Sequence, residues 1–240
     1  MFRFASWTII VVLGLFQSAH AASSVGAPQP GVFRQTDLDA GGWLTGFASH
    51  ASGRLYARTD VGGVYRSDDQ GASWRFLSGD MTSSAGLFVQ GLAVGETSPD
   101  MVYQALGASY VASDAARGVW HSSDGGGAWT QVLANVNFSG NDDLRWQGEC
   151  LAVTPGSGDQ EIFAITRKNG LWRSTTGGGG GSWTKQGGTL FDGMIGHVVH
   201  MHPAFPNDIF VGGVKDTGTS ALYKGTRGAG GTITWSAVTV

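Results

Sequence analysis

Four tryptophans keep step along this chain, and their spacing limits what it can fold into. Trp74, Trp129 and Trp183 stand 55 and 54 residues apart, and Trp235 follows after 52. A regular period near 50 residues marks an array of similar units, such as the blades of a propeller. Upstream of the first two tryptophans the same turn is spelled out. Ser67-Asp68-Asp69-Gln70-Gly71-Ala72-Ser73-Trp74 reads S-x-D-x-G-x-x-W, and so does Ser122-Ser123-Asp124-Gly125-Gly126-Gly127-Ala128-Trp129. Counted back from Trp183, the third copy keeps Thr176 and Gly180, with Gly178 in the Asp position, which predicts a weakened turn. The fourth keeps only glycine-rich spacing and Trp235.

Short apolar segments precede each turn in a fixed order. The pairs nearest the turns are Val64-Tyr65, Val119-Trp120, Leu171-Trp172 and Leu222-Tyr223. Before them come Leu55-Tyr56, Val102-Tyr103, Ile162-Phe163 and Ile209-Phe210. Earlier still lie Gly91 to Val94, Cys150 to Val153 and His197 to His200. Each unit therefore offers about four short strands separated by turn residues. Forty glycines and nine tryptophans in 240 residues fit a turn-rich all-β protein, whereas a disordered chain lacks such aromatics. In the turns, Asp bonds nearby amides, Gly takes a positive φ and Trp covers the loop. Ser67, Asp69, Gly71, Trp74, Ser122, Asp124, Gly126 and Trp129 are accordingly read as structural.

Residues 1–21 read as a secretion leader. Arg3 precedes the apolar run Trp7 to Phe16, and Ala19-His20-Ala21 supplies a small-x-small cleavage signal. The run is shorter than the roughly 20 residues a membrane span needs. The expected product is secreted or periplasmic, with no membrane segment once the leader is removed. The net charge of −3 gives no basic face for nucleic acid. Cys150 is the only cysteine, which excludes an intrachain disulfide. Residues 22–240 hold about four units, where closed propellers have about 4–8 blades. They are read as the N-terminal part of a larger propeller, with a closed four-bladed ring as the alternative.

One segment does not repeat. Arg58-Thr59-Asp60-Val61-Gly62-Gly63 follows the second strand of the first unit, where the others have Ala105 to Ala108, Thr166 to Asn169 and Gly212 to Lys215. If the turns point to one rim, this strand end points to the opposite face or the axis. There Gly62 and Gly63 could open space for a ligand beside the Asp60 carboxylate. An ordinary Asx turn at Asp60 is the competing reading. Arg58 either holds the Asp60 charge or is a surface arginine.

Ala57 to Arg66 resembles the A-R-T-D-[IV]-G-G-[AV]-Y-R motif of glycoside hydrolase family 74, the xyloglucan-degrading endoglucanases. Gly41 to Gly46 resembles the family's glycine-rich first strand. Gln147 to Val153 is similar to its G-E-R-L-A-V segment, with Cys150 for Arg, and Asn169 to Ser174 to its N-G-L-W-[RK]-S strand. The turns resemble the Asp-box of sialidase-like and sortilin-like propellers. The family resemblance implies two seven-bladed propellers enclosing a glycan cleft and inverting hydrolysis of a β-1,4-glucan such as xyloglucan. It implies that Asp60 is the general base and that the general acid lies on a second propeller beyond residue 240. A fragment ending at Val240 is then expected to be inactive alone.

Trp43, Tyr65 and Trp146 are candidate sugar-stacking residues. Asp142 and Asp143, in the polar loop Ser139 to Arg145, are read as solvated, and Glu149 as structural. His197, His200 and His202 lack a fourth ligand at zinc spacing, so no metal is assigned. No cofactor is implied, since the glycine run Gly177 to Gly181 lacks the lysine of a phosphate loop. Two other functions stay open: a non-catalytic propeller that binds a protein or glycan, and a sialidase. For the latter only Phe33-Arg34-Gln35 lies near the place of the required Arg-Ile-Pro segment.

Overall fold

A computed structural model describes residues 38–239 except 39, 80, 82, 112 and 143–147. The leader reading, Asp143 and Trp146 lie outside the described residues. The described chain is all-β and builds four successive antiparallel sheets. Blade 1 is β1 (Leu44–Ser49), β2 (Leu55–Thr59), β3 (Val64–Ser67) and β4 (Arg75–Phe76). Blade 2 is β5 (Val89–Val94), β6 (Val102–Leu106), β7 (Gly118–Ser122) and β8 (Thr130–Ala134). Blade 3 is β9 (Leu151–Val153), β10 (Ile162–Ile165), β12 (Leu171–Ser174) and β13 (Thr184–Gln186). Its loop strand β11 (Arg167–Asn169) pairs instead with blade 4. Blade 4 continues as β14 (Asp192–His202), β15 (Phe205–Val214), β16 (Ser220–Arg227) and β17 (Ile233–Ala237).

Innermost strands pack in series, β1 on β5, β5 on β9 and β9 on β14. The second strands of blades 1 to 3 are covered on both faces, so they are largely apolar without alternation. Tyr56, Ala57, Val102, Tyr103, Ala105 and Ile162 to Ile165 are all fully buried there. One apolar cluster joins blades 1 and 2 through Tyr56, Val64, Leu77, Leu92 and Val102. A second runs through blades 2 to 4 by way of Tyr103, Val119, Leu151, Phe163, Met194 and Val211.

In the first turn the Ser67 hydroxyl accepts the Gly71 N–H (2.7 Å) and donates to Asp69 Oδ1 (2.7 Å), which accepts the Ser73 N–H (2.8 Å). Blade 2 repeats this with Ser122, Gly126, Asp124 and the Ala128 N–H. Gly71 and Gly126 both sit at φ +90°. Trp74 tilts against Phe47 (6.2 Å), and the Trp129 indole donates to Leu77 O (3.1 Å) in the preceding blade.

The third turn is in a different register from the one counted back from Trp183. Ser174 accepts the N–H groups of Gly178 (3.0 Å) and Thr176 (3.3 Å), as Ser67 and Ser122 do for their loops. Gly178, at φ +78°, therefore corresponds to Gly71, and Thr176 stands in the Asp position. Two extra residues separate Gly178 from Trp183, which displaced the count. Ser182 replaces the missing carboxylate by pairing its hydroxyl with that of Ser174 (2.7 Å).

Adjacent blades are also tied along this turn face. Arg66 donates to Gly125 O (2.8 Å), Tyr103 to Gly177 O (3.0 Å) and Arg173 to Gly231 O (2.9 Å). Asp159 accepts the Ser98 N–H (2.9 Å), and Glu161 is clamped by Arg227 (2.6 and 2.7 Å) and Arg173 (2.6 Å). Because the strands alternate in direction, the loops between second and third strands open on the opposite face.

The corrected register predicts that Ser174→Ala costs about 1–2 kcal/mol, since it strands turn amides. Thr176→Ala should stay within about 0.5 kcal/mol; urea denaturation of both variants checks this. Bonds from the Ser73 hydroxyl and N–H, then the Ser67 hydroxyl, lower the Asp69 carboxyl to about 2. Its contribution is thus present above the unfolded carboxylate range near 3.9 and is lost as pH falls through about 2. Urea midpoints of the native chain should accordingly fall more steeply between about pH 4 and 2 than those of Asp69→Asn.

Candidate active site

On the face opposite the turns, β2 runs out at Thr59 into a tight four-residue loop. Thr59 Oγ1 accepts the Gly62 N–H (2.8 Å), and Gly63 O accepts the Thr59 N–H (3.0 Å). Gly63 sits at φ +77°, where a side chain would be strained, and donates its N–H to Leu87 O (3.1 Å). A Cβ on Gly62 would collide with Gly41 O, and one on Gly63 with the Ser78 hydroxyl. The two glycines thus make room for protein neighbours, not for a ligand as the sequence reading expected.

Asp60 begins this loop and is only 6% exposed. Its N–H donates to Trp43 O (3.0 Å), and its Oδ1 accepts the Trp43 N–H (2.7 Å). Gly42, at φ +81°, allows this close approach, because a Cβ there would strike Oδ1. The pairing fixes one carboxylate oxygen and sets the 62% exposed Trp43 immediately beside the acid. Val61 and Tyr110 are further exposed apolar groups on loops of this face, and Asn141 donates to the Tyr110 hydroxyl (2.6 Å). Tyr65 differs from its sequence reading as a stacking platform. It is 7% exposed, with its ring tilted against Phe76 at 5.4 Å, so its faces are already covered.

Arg58 is not a surface arginine, for it is fully buried. Nε donates to Glu149 Oε1 (3.0 Å), and Nη1 donates to Thr45 Oγ1 (2.8 Å) and Val89 O (3.2 Å). Glu149 Oε2 accepts the Leu92 N–H (2.7 Å), and its backbone carbonyl accepts the Val199 N–H (3.0 Å). One residue of blade 3 therefore touches blades 1, 2 and 4. Burial pushes the Glu149 carboxyl above its ordinary range, against the pull of the Arg58 guanidinium and the Leu92 N–H. Glu149, Thr45 and Gln90 occupy like positions in the first three innermost strands, and His197 holds that place in β14.

Asp142 is also corrected. It is 8% exposed, accepts the Ser109 N–H (3.0 Å) and hydroxyl (2.9 Å), and pairs with Arg167 at 3.0 Å. It joins loops of blades 2 and 3 and is not solvated. Among the described residues no three His, Cys, Asp or Glu side chains are grouped to hold a metal ion. Burial lowers the His197 imidazole, while His202 accepts the Ala204 N–H (3.1 Å).

No family model matches the chain. A xyloglucanase of Hypocrea jecorina is 33% identical over 182 residues, covering 72% of this chain and 20% of that protein. A xyloglucanase of Paenibacillus sp. is 31% identical over 189 residues, covering 75% and 18%. In structure, the GH74 xyloglucanase of Xanthomonas campestris superposes with a TM-score of 0.67 at 28% identity, covering 85% of this chain and 31% of that one. The chain spans about a fifth of the length of these sequence relatives, 20% and 18%.

Removing one partner of the buried pair should cost far more than removing both. Glu149→Ala leaves the Arg58 guanidinium buried without its carboxylate and is expected to lose about 3 kcal/mol in urea denaturation. Arg58→Met combined with Glu149→Leu should recover most of that loss. A single variant as stable as the native chain would contradict the assignment of the pair as a tie between blades.

Proposed function

Because the chain is similar in sequence and blade structure to the N-terminal propeller region of family 74 glycoside hydrolases, we propose that it is part of an inverting hydrolase of xyloglucan or a related β-1,4-glucan. The observation that carries this reading is the placement of Asp60. It is a carboxylate on the face opposite the structural turns, oriented by the backbone N–H of the exposed Trp43. In this reading Asp60 is the general base. It takes a proton from water as that water attacks the anomeric carbon, and the configuration inverts. A second carboxylic acid, about 6.5–9.5 Å away, protonates the leaving glycosidic oxygen. That acid belongs to a second propeller beyond residue 240, and the cleft between the two receives the glycan.

Trp43 would offer its face to a sugar ring next to the scissile bond, where an apolar pyranose face suits an indole. Residues 1–21 serve as a secretion leader, which places the enzyme outside the cytoplasm with its polymer substrate.

Asp60→Asn in the longer enzyme should abolish release of reducing ends from xyloglucan, with a loss of more than about a thousandfold, while thermal unfolding changes little. Full activity in that variant would remove Asp60 from the mechanism. A chain ending at Val240 should fold yet release none. Hydrolysis by that short chain would place the acid within these four blades.

A further inference from the structure

We propose that Glu149 is a positioning residue for Asp60, acting at a distance through Arg58 and a bulge in β1; the catalytic part of this rests on the reading of Asp60 as general base. The chain of contacts is continuous. Asp60 Oδ1 is held by the Trp43 N–H, and Trp43 lies two residues before Thr45. At Thr45 the pairing of β1 with β2 slips: Leu44 faces Thr59 and Gly46 faces Arg58, which leaves Thr45 unpaired. A bulge of this kind re-aims the strand that carries it. Thr45 Oγ1 accepts from Arg58 Nη1 (2.8 Å) and donates to Arg58 O (3.4 Å), so both ends of Arg58 hold the bulge in place.

The guanidinium is in turn fixed from other blades. Val89 O of blade 2 accepts from it, and Glu149 Oε1 of blade 3 takes Nε. Glu149 is itself immobilised by the Leu92 N–H on its second oxygen and the Val199 N–H on its carbonyl. Gly46 belongs to the same device, because a Cβ there would collide with Glu149 Oε1 and Arg58 Nε. Arg58 is also peculiar to blade 1. The same strand position holds Ala105, Ile165 and Gly212 in the others, and only blade 1 carries the Asp60 loop. Packing alone is served by small or apolar residues at this place. The bulge itself recurs at Gln90 in β5 and at His197 in β14 with no arginine opposite it, so Arg58 is not what makes a bulge. In blade 1 it adds bonds that fix the bulge leading to Trp43 and Asp60.

The discriminating variants are Thr45→Val, which keeps the shape and removes the hydroxyl, Thr45→Ser, which restores it, and Glu149→Gln. In this chain, hydrogen exchange of the Trp43 amide is compared with that of the core Phe163 amide. Thr45→Val and Glu149→Gln should speed Trp43 exchange by at least about tenfold relative to Phe163, with Thr45→Ser near native. In the longer enzyme, kcat should fall by about tenfold or more with KM within about twofold, because misplacement of a reacting group lowers turnover. If Glu149→Gln does not fold, Thr45→Val decides. Native exchange at Trp43 in folded Thr45→Val overturns the proposal. If the native enzyme hydrolyses no glucan, the reading of Asp60 as base fails, while the exchange result still decides whether the relay exists.

Discussion

The ion pair between buried Arg58 and partly buried Glu149 bridges 91 residues of sequence and three blades of structure. Away from the polar ties of the turn face, the blades meet largely through apolar side chains, and such burial is strong but non-directional. Two sheets that meet through Tyr56, Leu92 and Val102 can slide by a fraction of a residue at little cost. A guanidinium with assigned partners cannot, because each displaced bond leaves a buried charge unsatisfied. The pair therefore sets the relative height of the innermost strands, and the loops above them inherit that height.

The two faces of the blades divide the work accordingly. On the turn face, Ser67, Asp69, Ser122 and Asp124 spend their hydrogen bonds on their own loops, and Arg66, Tyr103 and Arg173 fasten each loop to its neighbour. The third turn departs from the repeat by an insertion that Ser182 compensates, and the fourth, Gly228 to Thr234, carries neither the Ser nor the Asp. The opposite face departs in every blade. Blade 1 ends in the four-residue Asp60 loop, blade 2 in a long loop pinned by Asp142, and blade 3 in β11, which crosses to pair with β14. Variation on one face is tolerable because the other face and the axis already fix the sheets.

Much of this was legible in the sequence for a physical reason. Trp at a 50-residue period, with Ser, Asp and Gly in phase, describes a loop whose bonds are local, and local bonds leave local patterns. The third turn was misread because a run of five glycines carries no phase of its own, so Trp183 was the only anchor and the two-residue insertion was invisible. Ser174 was the better anchor, since it ends its strand as Ser67 and Ser122 do. The burial of Arg58 and Asp142 was hidden for a different cause. Charged residues are ordinarily exposed, and their partners, Glu149 and Ser109, come from other loops that no local pattern connects. One signal did exist: aligning the second strands sets Arg58 against Ala105, Ile165 and Gly212, a charge at an otherwise apolar position.

Partly buried Glu149 and buried Glu161 show that the carboxylates set between blades do not all act alike. Burial works to raise both. At Glu161 the guanidinium of Arg227, the Thr154 hydroxyl and Arg173 outweigh it, and the carboxyl is held below its ordinary range. Its stabilisation is present above the unfolded carboxylate range and fades as pH falls. At Glu149 one guanidinium and one amide do not suffice, and the carboxyl stays above its ordinary range. Its ionisation therefore costs stability as pH rises through that raised range. Thr45, Gln90 and His197 hold the corresponding place in the other blades, and only Glu149 meets a guanidinium there, that of Arg58. The charge is placed where it fixes Arg58, and the loop that follows Arg58 is the one carrying Asp60.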